Sequence, residues 1–227
     1  MSNIAGKAYA MNVVTPIKRS TAWINRLIFR AARSSRNQNR FDGLNTLSLI
    51  HYARWAIVSP KQFPHLDESQ PKETIKYTYE FFFSNFNGSW EQYIDSFHMA
   101  IPKGLDSFWF KNVKYPGSVP LQPFHDYINY NQIWTNHYYN AYPMASANDV
   151  KSAKRVKASL IEFSQNMKDD DPETFRQKFN AMLTDLQHDL SLMEPTPIVS
   201  LSAEEIARRE RKRKLDRKIL EEIYHGQ

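Results

Sequence analysis

One stretch of the sequence decides the fold: Ile75-Lys-Tyr-Thr-Tyr-Glu-Phe-Phe-Phe-Ser-Asn-Phe86. Aromatic residues alternate along it with polar ones, which is the two-residue period of a strand packed against a core. A further aromatic residue, Phe82, falls on the opposite face, so both faces are expected to be buried. The following Asn87-Gly88 pair predicts a turn, and Ser89-Trp-Glu-Gln92 is a capping box that predicts the start of a helix.

Further strands and helices are predicted on both sides of this stretch. A β-branched run at 9–15 and a long apolar run at 46–58 predict two strands before it, with a helix starting at Ser20 or Thr21 between them. A run at 132–142 predicts the last strand. The resulting order, β-α-β-β-α-β, is that of a ferredoxin-like α+β domain with an antiparallel sheet. One face of such a sheet packs on helices, so a second subunit or additional helices must cover the other face.

Changes in composition divide the chain into three parts. Residues 1–145 are expected to form the ferredoxin-like α+β domain, in which 103–130, rich in proline, glycine and aromatic residues, is predicted to be a long packed loop. Residues 146–194 are predicted to form a C-terminal helical hairpin packed on that domain. Residues 195–227 are expected to be a linker followed by a charged terminal helix.

The composition excludes several classes of protein. The chain contains no cysteine, which excludes disulfides, thiolate nucleophiles, zinc-finger ligand sets and iron–sulfur clusters. It shows no secretory signal and no apolar run of roughly 18 residues, so we expect a cytoplasmic protein. It has no glycine-rich phosphate loop, no Gly-x-Ser-x-Gly elbow and no metal-ligand spacing, so no metal site is expected. Aromatic residues make up 14% of the chain, which favours a heavy core, a large subunit interface or an aromatic-lined pocket.

The net charge of +6 arises from arginines and lysines clustered at 18–40 and 208–218. Such runs are usually solvated helix faces, and no motif that reads nucleic acid accompanies them, so specific nucleic-acid binding is not expected. A peripheral contact with an anionic membrane is a further alternative. We predict instead that the terminal helix binds a protein partner through its basic residues, Arg208, Arg209, Arg211, Lys212, Arg213 and Lys214.

The second predicted strand carries two candidate ligand-binding groups. The two-residue period of a strand puts His51 and Arg54 on opposite faces, with Trp55 on the face of His51. An arginine can anchor a carboxylate or a phosphate through its paired donors. The alternative is a structural ion pair between Arg54 and Glu80 on the neighbouring strand.

The last predicted strand carries His137 and Tyr138 on opposite faces. A histidine with tyrosine neighbours can transfer protons, or bind haem iron where it faces a cavity. The alternative is a histidine that is hydrogen-bonded within a core. Haem is therefore left open as a cofactor. The full set of residues predicted to bind a ligand is His51, Arg54, Trp55, Asn85, Tyr93, His137 and Tyr138.

Several motifs run through the α+β domain, among them Ile50-His-Tyr-Ala-Arg-Trp55, Phe83-Ser-Asn-Phe-Asn-Gly-Ser-Trp90, Tyr93-Ile-Asp95 and the run from Asn131 to Pro143. They resemble a bacterial family of hypothetical proteins that has no established activity. More distantly, the strand–turn–helix pattern resembles the dimeric α+β-barrel superfamily, which includes haem peroxidase-like, chlorite dismutase-like and small monooxygenase proteins. The second resemblance implies a homodimer that pairs through its sheet.

Two function classes fit these features. The class we favour is a non-enzymatic ligand-binding or accessory protein, a homodimer with an aromatic-lined pocket and a partner-binding tail, because catalytic motifs are missing. The alternative is a small peroxidase-like or monooxygenase-like oxidoreductase of the dimeric α+β-barrel type, with a pocket formed by His51, Arg54, Trp55 and Tyr138. Whether the chain is an enzyme is left open by the sequence. The observation that favours the enzyme is convergence of two or more of these polar groups on one cavity.

Overall fold

The computed structural model describes most of the chain between Asn3 and Leu190. The described residues are 3–32, 49–63, 67, 69–71, 73, 75–100, 102–168 and 170–190, together with 210, 213, 214, 217 and 218. They form a mixed α+β protein with a five-stranded antiparallel sheet and six α-helices. No helix in this part of the chain is long and apolar enough to cross a membrane.

The stretch that decides the fold forms a central strand of the sheet. The strands are β1 (Ile4–Ala5), β2 (Ala8–Ile17), β3 (Ile50–Val58), β4 (Thr78–Asn87) and β5 (Gln132–Ile133). Their order is β1-β2-β4-β3, and β5 also pairs with β2. The aromatic run of β4 thus lies between the two other long strands, where its backbone is hydrogen-bonded on both sides.

One helix lies between the second and third strands, three helices lie between the fourth and fifth strands, and two more form a hairpin after the last strand. The helices are α1 (Ala22–Ala32), α2 (Trp90–Ala100), α3 (Pro102–Trp109), α4 (Leu121–Asn131), α5 (Ala147–Asn166) and α6 (Pro172–Asp185), and a short 3₁₀ turn, Pro60–Gln62, follows β3. The core lies between one face of the sheet and helices α2, α3 and α4. It consists of Tyr9, Met11, Val13, Phe82, Phe86, Trp90, Tyr93, Ile94, Phe97, Leu105, Trp109, Phe124, Tyr127 and Ile128.

Side-chain caps determine where three of the helices begin. The Ser89 hydroxyl accepts the Gln92 backbone N–H at 3.1 Å, and the Gln92 side chain accepts the Ser89 N–H at 3.3 Å, so the predicted capping box is confirmed. Ser146 and Asp149 form the same reciprocal pair at the start of α5. The Asp171 carboxylate accepts two backbone N–H groups at the start of α6. Each such cap stabilises its helix by about 1 kcal/mol.

The predicted loop at 103–130 is wrong, and the predicted strand at 132–142 is present only in its first two residues, Gln132–Ile133. The loop contains most of α3 and α4, because Pro102 stands in the first helical turn, where its missing N–H is not needed, and Trp109 is buried in the core. The strand ends at Ile133 because the next part of the same β2 edge is already occupied. There β1 pairs with β2, and the Asn3 carbonyl accepts the Ala10 N–H.

The chain order of the elements, β-β-α-β-β-α-α-α-β-α-α, is longer than the predicted β-α-β-β-α-β. An additional strand precedes the series, and two additional helices lie between β4 and β5. The predicted helical hairpin is present as α5 and α6, whose facing side includes the rings of Phe163, Phe175 and Phe179. Of the predicted basic partner site, Arg213 and Lys214 are exposed and helical, and Arg208, Arg209, Arg211 and Lys212 lie outside the described residues.

Candidate functional site

A cleft of about 330 Å³ lies where β3, β4 and the start of β2 meet the segment that follows β5. Its walls combine three tyrosine side chains with a histidine, two asparagines and two alanines. The lining residues are Ala8, His51, Tyr52, Asn85, Tyr138, Tyr139, Asn140 and Ala141. Three of the seven predicted ligand-binding residues therefore meet in one place, although they come from three separate segments of the chain.

A register shift in β3 turns two successive side chains toward this cleft. The pairing between β3 and β4 shifts by one residue between Ile50 and Tyr52, as in a β-bulge. His51 and Tyr52 consequently both line the cleft, on the face opposite the helices. The prediction that His51 shares a face with Trp55 is wrong, because the two-residue period does not continue across the shift.

The segment after β5 forms the opposite wall of the cleft. Tyr138 reaches across to β4, where its hydroxyl accepts a hydrogen bond from the Asn85 amide. Asn140 anchors the same segment to β1, since its Nδ2 donates to the Ala5 carbonyl at 3.2 Å. The cleft is thus closed on this side by a chain segment that has left the sheet and is held by side-chain amides.

A tight turn at Gly6 fixes the end of this segment. Gly6 has a φ of +62°, in the left-handed region that favours glycine. The next residue, Lys7, donates its N–H to the Pro143 carbonyl at 2.7 Å. A Cβ atom at Gly6 would lie 2.0 Å from the Pro143 carbonyl oxygen. Glycine is therefore required here both by the backbone conformation and by the close approach of the two segments.

Two titratable groups of the cleft, His51 and Tyr138, are neutral near pH 7. Desolvation lowers the pKa of His51 below its ordinary value of 6.5, and a hydrogen bond with the Asn87 side chain acts more weakly in the opposite direction. Desolvation also raises the pKa of Tyr138, with the hydrogen bond from Asn85 as a smaller opposing effect. The cleft accordingly presents the uncharged imidazole of His51 and the uncharged phenol of Tyr138 to a ligand.

Three of the predicted site residues lie outside the cleft. Trp55 packs against the ring of Phe82 in the layer between sheet and helices, with ring centroids 4.7 Å apart. Tyr93 is fully buried and stacks on Phe86, with ring centroids 3.8 Å apart. His137 is exposed in the segment after β5 and does not line the cleft, so this cleft is not the haem pocket that the sequence left open for this imidazole.

Arg54 also lies outside the cleft. Its guanidinium stands over the ring of Phe83, 4.9 Å from the ring centroid, on the sheet face opposite the helices. The alternative prediction, an ion pair between Arg54 and Glu80, is wrong because Glu80 points to the other face. A cation over a partly exposed aromatic ring is a modest surface interaction, so the contact of Arg54 with Phe83 does not indicate ligand binding.

Sequence reasoning missed Tyr52, Tyr139 and Asn140 as lining residues. Their inclusion depends on the register shift in β3 and on the irregular path after β5, and neither feature has a periodic signal in the sequence. The run Tyr138-Tyr139-Asn140 was a local signal that could have been used, because adjacent aromatic and amide side chains are frequent in binding loops.

A second polar cluster is buried on the opposite face of the sheet. The Glu80 carboxyl has no exposed surface and accepts a hydrogen bond from Asn25 Nδ2 at 2.9 Å. Burial raises its pKa to about 8, and hydrogen bonds from Asn112 and Asn25 oppose the shift. Asn112 also donates to the Thr15 hydroxyl at 2.6 Å. Glu80 is therefore mostly protonated at neutral pH, because burial disfavours the charged form of its carboxyl.

Comparison with known proteins adds no relatives to this description. No protein-family model matches the chain, and no curated protein or solved structure matches it. The resemblances found in the motifs therefore remain predictions. The functional argument depends on the cleft and on the chemistry of its lining residues.

Proposed function

We propose that this protein is a non-enzymatic ligand-binding or accessory protein whose ligand occupies the cleft between β3, β4 and the segment after β5. The observation that carries the proposal is the convergence of His51, Asn85 and Tyr138 on one cavity of about 330 Å³. That volume is at the small end of the range found for ligand pockets. The cleft combines aromatic surface with a few directed polar groups, which is the usual composition of a small-molecule site.

The absence of charge in the cleft supports binding over catalysis. Among the described residues that line it there is no Asp, Glu, Lys or Arg. General acid–base catalysis usually needs a group whose protonation changes near the working pH, whereas His51 and Tyr138 have pKa values that move away from neutrality.

One observation favours the alternative, a small enzyme. His51 and Tyr138 are two polar groups of the predicted catalytic pocket, and both line the same cleft. A neutral imidazole can accept a proton from a bound substrate. Arg54 and Trp55, the other two residues of that predicted pocket, do not line the cleft. Two of the four residues that the enzyme hypothesis requires therefore lie together.

We further propose that the chain forms a homodimer through the outer face of a ferredoxin-like sheet. In support, β2, α1, β3, β4, α2 and β5 follow one another in that series, with β4 between β2 and β3. The rings of Phe81 and Phe83 stack at 5.8 Å on the face away from the helices and remain partly exposed. Replacing Phe83 with Glu should shift the protein from dimer to monomer in sedimentation velocity. A chain that is monomeric without the substitution would contradict the dimer.

Native mass spectrometry of the purified protein, with an absorbance spectrum, tests the binding function. We expect a species that carries additional mass, and we expect Tyr138→Ala to lose that mass because it removes one wall of the cleft. His137→Ala is the matched control, since His137 is the adjacent residue and lies outside the cleft. Equal retention of the ligand by both variants would place the site elsewhere. Conversion of the ligand during incubation would support the enzyme.

A further inference from the structure

Building on the proposed binding function, we infer that the ligand of the cleft is a neutral polyhydroxylated ring, a monosaccharide or the end unit of a short saccharide. Three features of the cleft lead to this class of ligand: its lack of ionised groups, its hydroxyl and amide groups, and its exposed aromatic rings. The first feature argues against an ionic ligand, the second argues against an apolar ligand, and the third matches the C–H face of a sugar ring.

The lack of charge excludes an ionic ligand. A phosphate, carboxylate or ammonium group loses its hydration on entering a cleft, and this loss costs several kcal/mol unless an opposite charge or several hydrogen bonds replace the water. The described lining residues offer no such charge, and His51 is neutral near pH 7. The ligand is therefore uncharged.

The hydroxyl and amide groups exclude a purely apolar ligand. The Asn85 amide donates to the Tyr138 hydroxyl, so the phenol proton of Tyr138 is available to a ligand acceptor. The second oxygen lone pair of Tyr138 and the hydroxyl of Tyr52 can accept. An apolar ligand would cover these groups without hydrogen bonds, at about 1–3 kcal/mol for each. Sugar hydroxyls both donate and accept, so they match groups of this mixed character.

The aromatic rings at the rim provide a surface for the C–H face of a sugar ring. Tyr139 is 77% exposed and Tyr52 is 51% exposed, yet both line the cleft. Tyrosine supplies a large, rigid contact area at a low cost in conformational entropy. Ala8 and Ala141 also line the cleft, and their small side chains occupy little of its volume of about 330 Å³.

Saturation-transfer NMR and calorimetry test the inference with named probes: glucose, galactose and N-acetylglucosamine as neutral sugars, glucuronate as a charged sugar, and phenol as a neutral aromatic. We expect binding of at least one neutral sugar and at least five-fold weaker binding of glucuronate and phenol. Tyr138→Phe should weaken sugar binding about five-fold, the equivalent of one hydrogen bond. Tyr139→Ala should weaken it at least as much.

Tyr142→Ala is the matched control for Tyr139→Ala. Tyr142 has the same exposed fraction, 77%, but does not line the cleft, so its removal should change sugar affinity less than two-fold. All three tyrosines are partly or largely exposed, so the variants are expected to fold, and thermal melts verify this. Sugar binding that is insensitive to both Tyr138→Phe and Tyr139→Ala would overturn the inference. Cleft binding of phenol without any sugar would also overturn it and leave the binding function standing. A protein that carries no added mass and binds none of the probes would count against both.

Discussion

The two polar sites on β4 lie on opposite faces of the same strand, and they differ in how the desolvation of their polar groups is compensated. Glu80 faces the helices, has no exposed surface and keeps its proton to about pH 8. Asn85 faces the other side, where its amide donates to Tyr138 at the wall of an accessible cleft. The first site is closed and depends on an ionisable carboxyl, and the second is open and is joined by a hydrogen bond between a neutral amide and a neutral phenol.

This difference separates a site that affects stability from a candidate binding site. A buried carboxyl makes the folded state sensitive to pH, because it ionises in the unfolded chain at a much lower pH than in the folded chain. The Asn85 amide and the Tyr138 phenol, whose pKa burial raises, keep the same charge over that range, so His51 is the lining group of the cleft whose protonation changes there. The perturbed pKa of Glu80 alone would mark it as a functional candidate. The geometry places the accessible groups on the other face of the strand.

The largest effect is expected from Glu80→Gln, which removes the ionisable group and keeps the shape. Between pH 4.5 and 8 the folded state binds a proton at Glu80 that the unfolded state releases, so the free energy of unfolding falls as pH rises. From pH 5 to pH 8 the loss is about 3 kcal/mol. Glu80→Gln should abolish this part of the slope and be the more stable form at pH 8. Urea unfolding at several pH values measures it.

Asn85→Ala, on the opposite face of the same strand, is the control for this prediction. It should leave the pH slope of the natural chain unchanged, because the Asn85 side chain faces away from Glu80. Parallel pH profiles for the natural chain and Glu80→Gln would contradict a raised pKa at Glu80.

The next effect is expected from Gly6→Ala, which disturbs the open site without touching the closed one. The added Cβ would meet the Pro143 carbonyl, and the residue would keep a positive φ, so we expect a loss of about 2 kcal/mol and weaker ligand binding. Gly117→Ala also has a positive φ but lies away from the cleft, with its Cβ 3.3 Å from the Val119 carbonyl oxygen. Its binding should stay normal. Chemical denaturation and calorimetry would show whether the two variants differ in this way.

The sequence predicted the parts of this fold that follow from regular periods and caps. The alternation in β4 gave the central strand, and the Ser89–Gln92 capping box gave the start of α2. The prediction of a loop at 103–130 was wrong because the prolines and glycines of this segment are also compatible with helices. Tertiary packing decided between helix and loop. For the site, the sequence predicted Asn85 and Tyr138, which both line the cleft. It did not predict the path of the chain after Ile133, because that path depends on β1 occupying the β2 edge. Such competition between distant segments has no local signal.

A smaller effect on stability is expected from removing either of two tyrosine hydroxyls, which lie on opposite sides of the sheet. Tyr93 is fully buried and shares a hydrogen bond with the Ser84 hydroxyl. Tyr93→Phe should therefore destabilise the fold by about 1 kcal/mol. Tyr138→Phe should cost no more than about half of that, because the group lies at an accessible cleft, and its main effect should be on binding. Equal losses of stability in thermal or urea unfolding would mean that the cleft is as closed as the core.

The smallest effect concerns the charge of the open site. The pKa of His51 is lowered chiefly by desolvation, so its NMR titration should have a midpoint below the ordinary value of about 6.5. Tyr138→Ala should move the midpoint back toward that value by admitting water, and Tyr142→Ala should not. Between the lowered pKa and 6.5 the unfolded chain binds the proton, so His51 makes the fold more stable as pH rises, opposite in sign to Glu80. A midpoint at or above 6.5 in the natural chain would mean that the cleft does not desolvate His51, and the neutral ligand would lose one of its three supports.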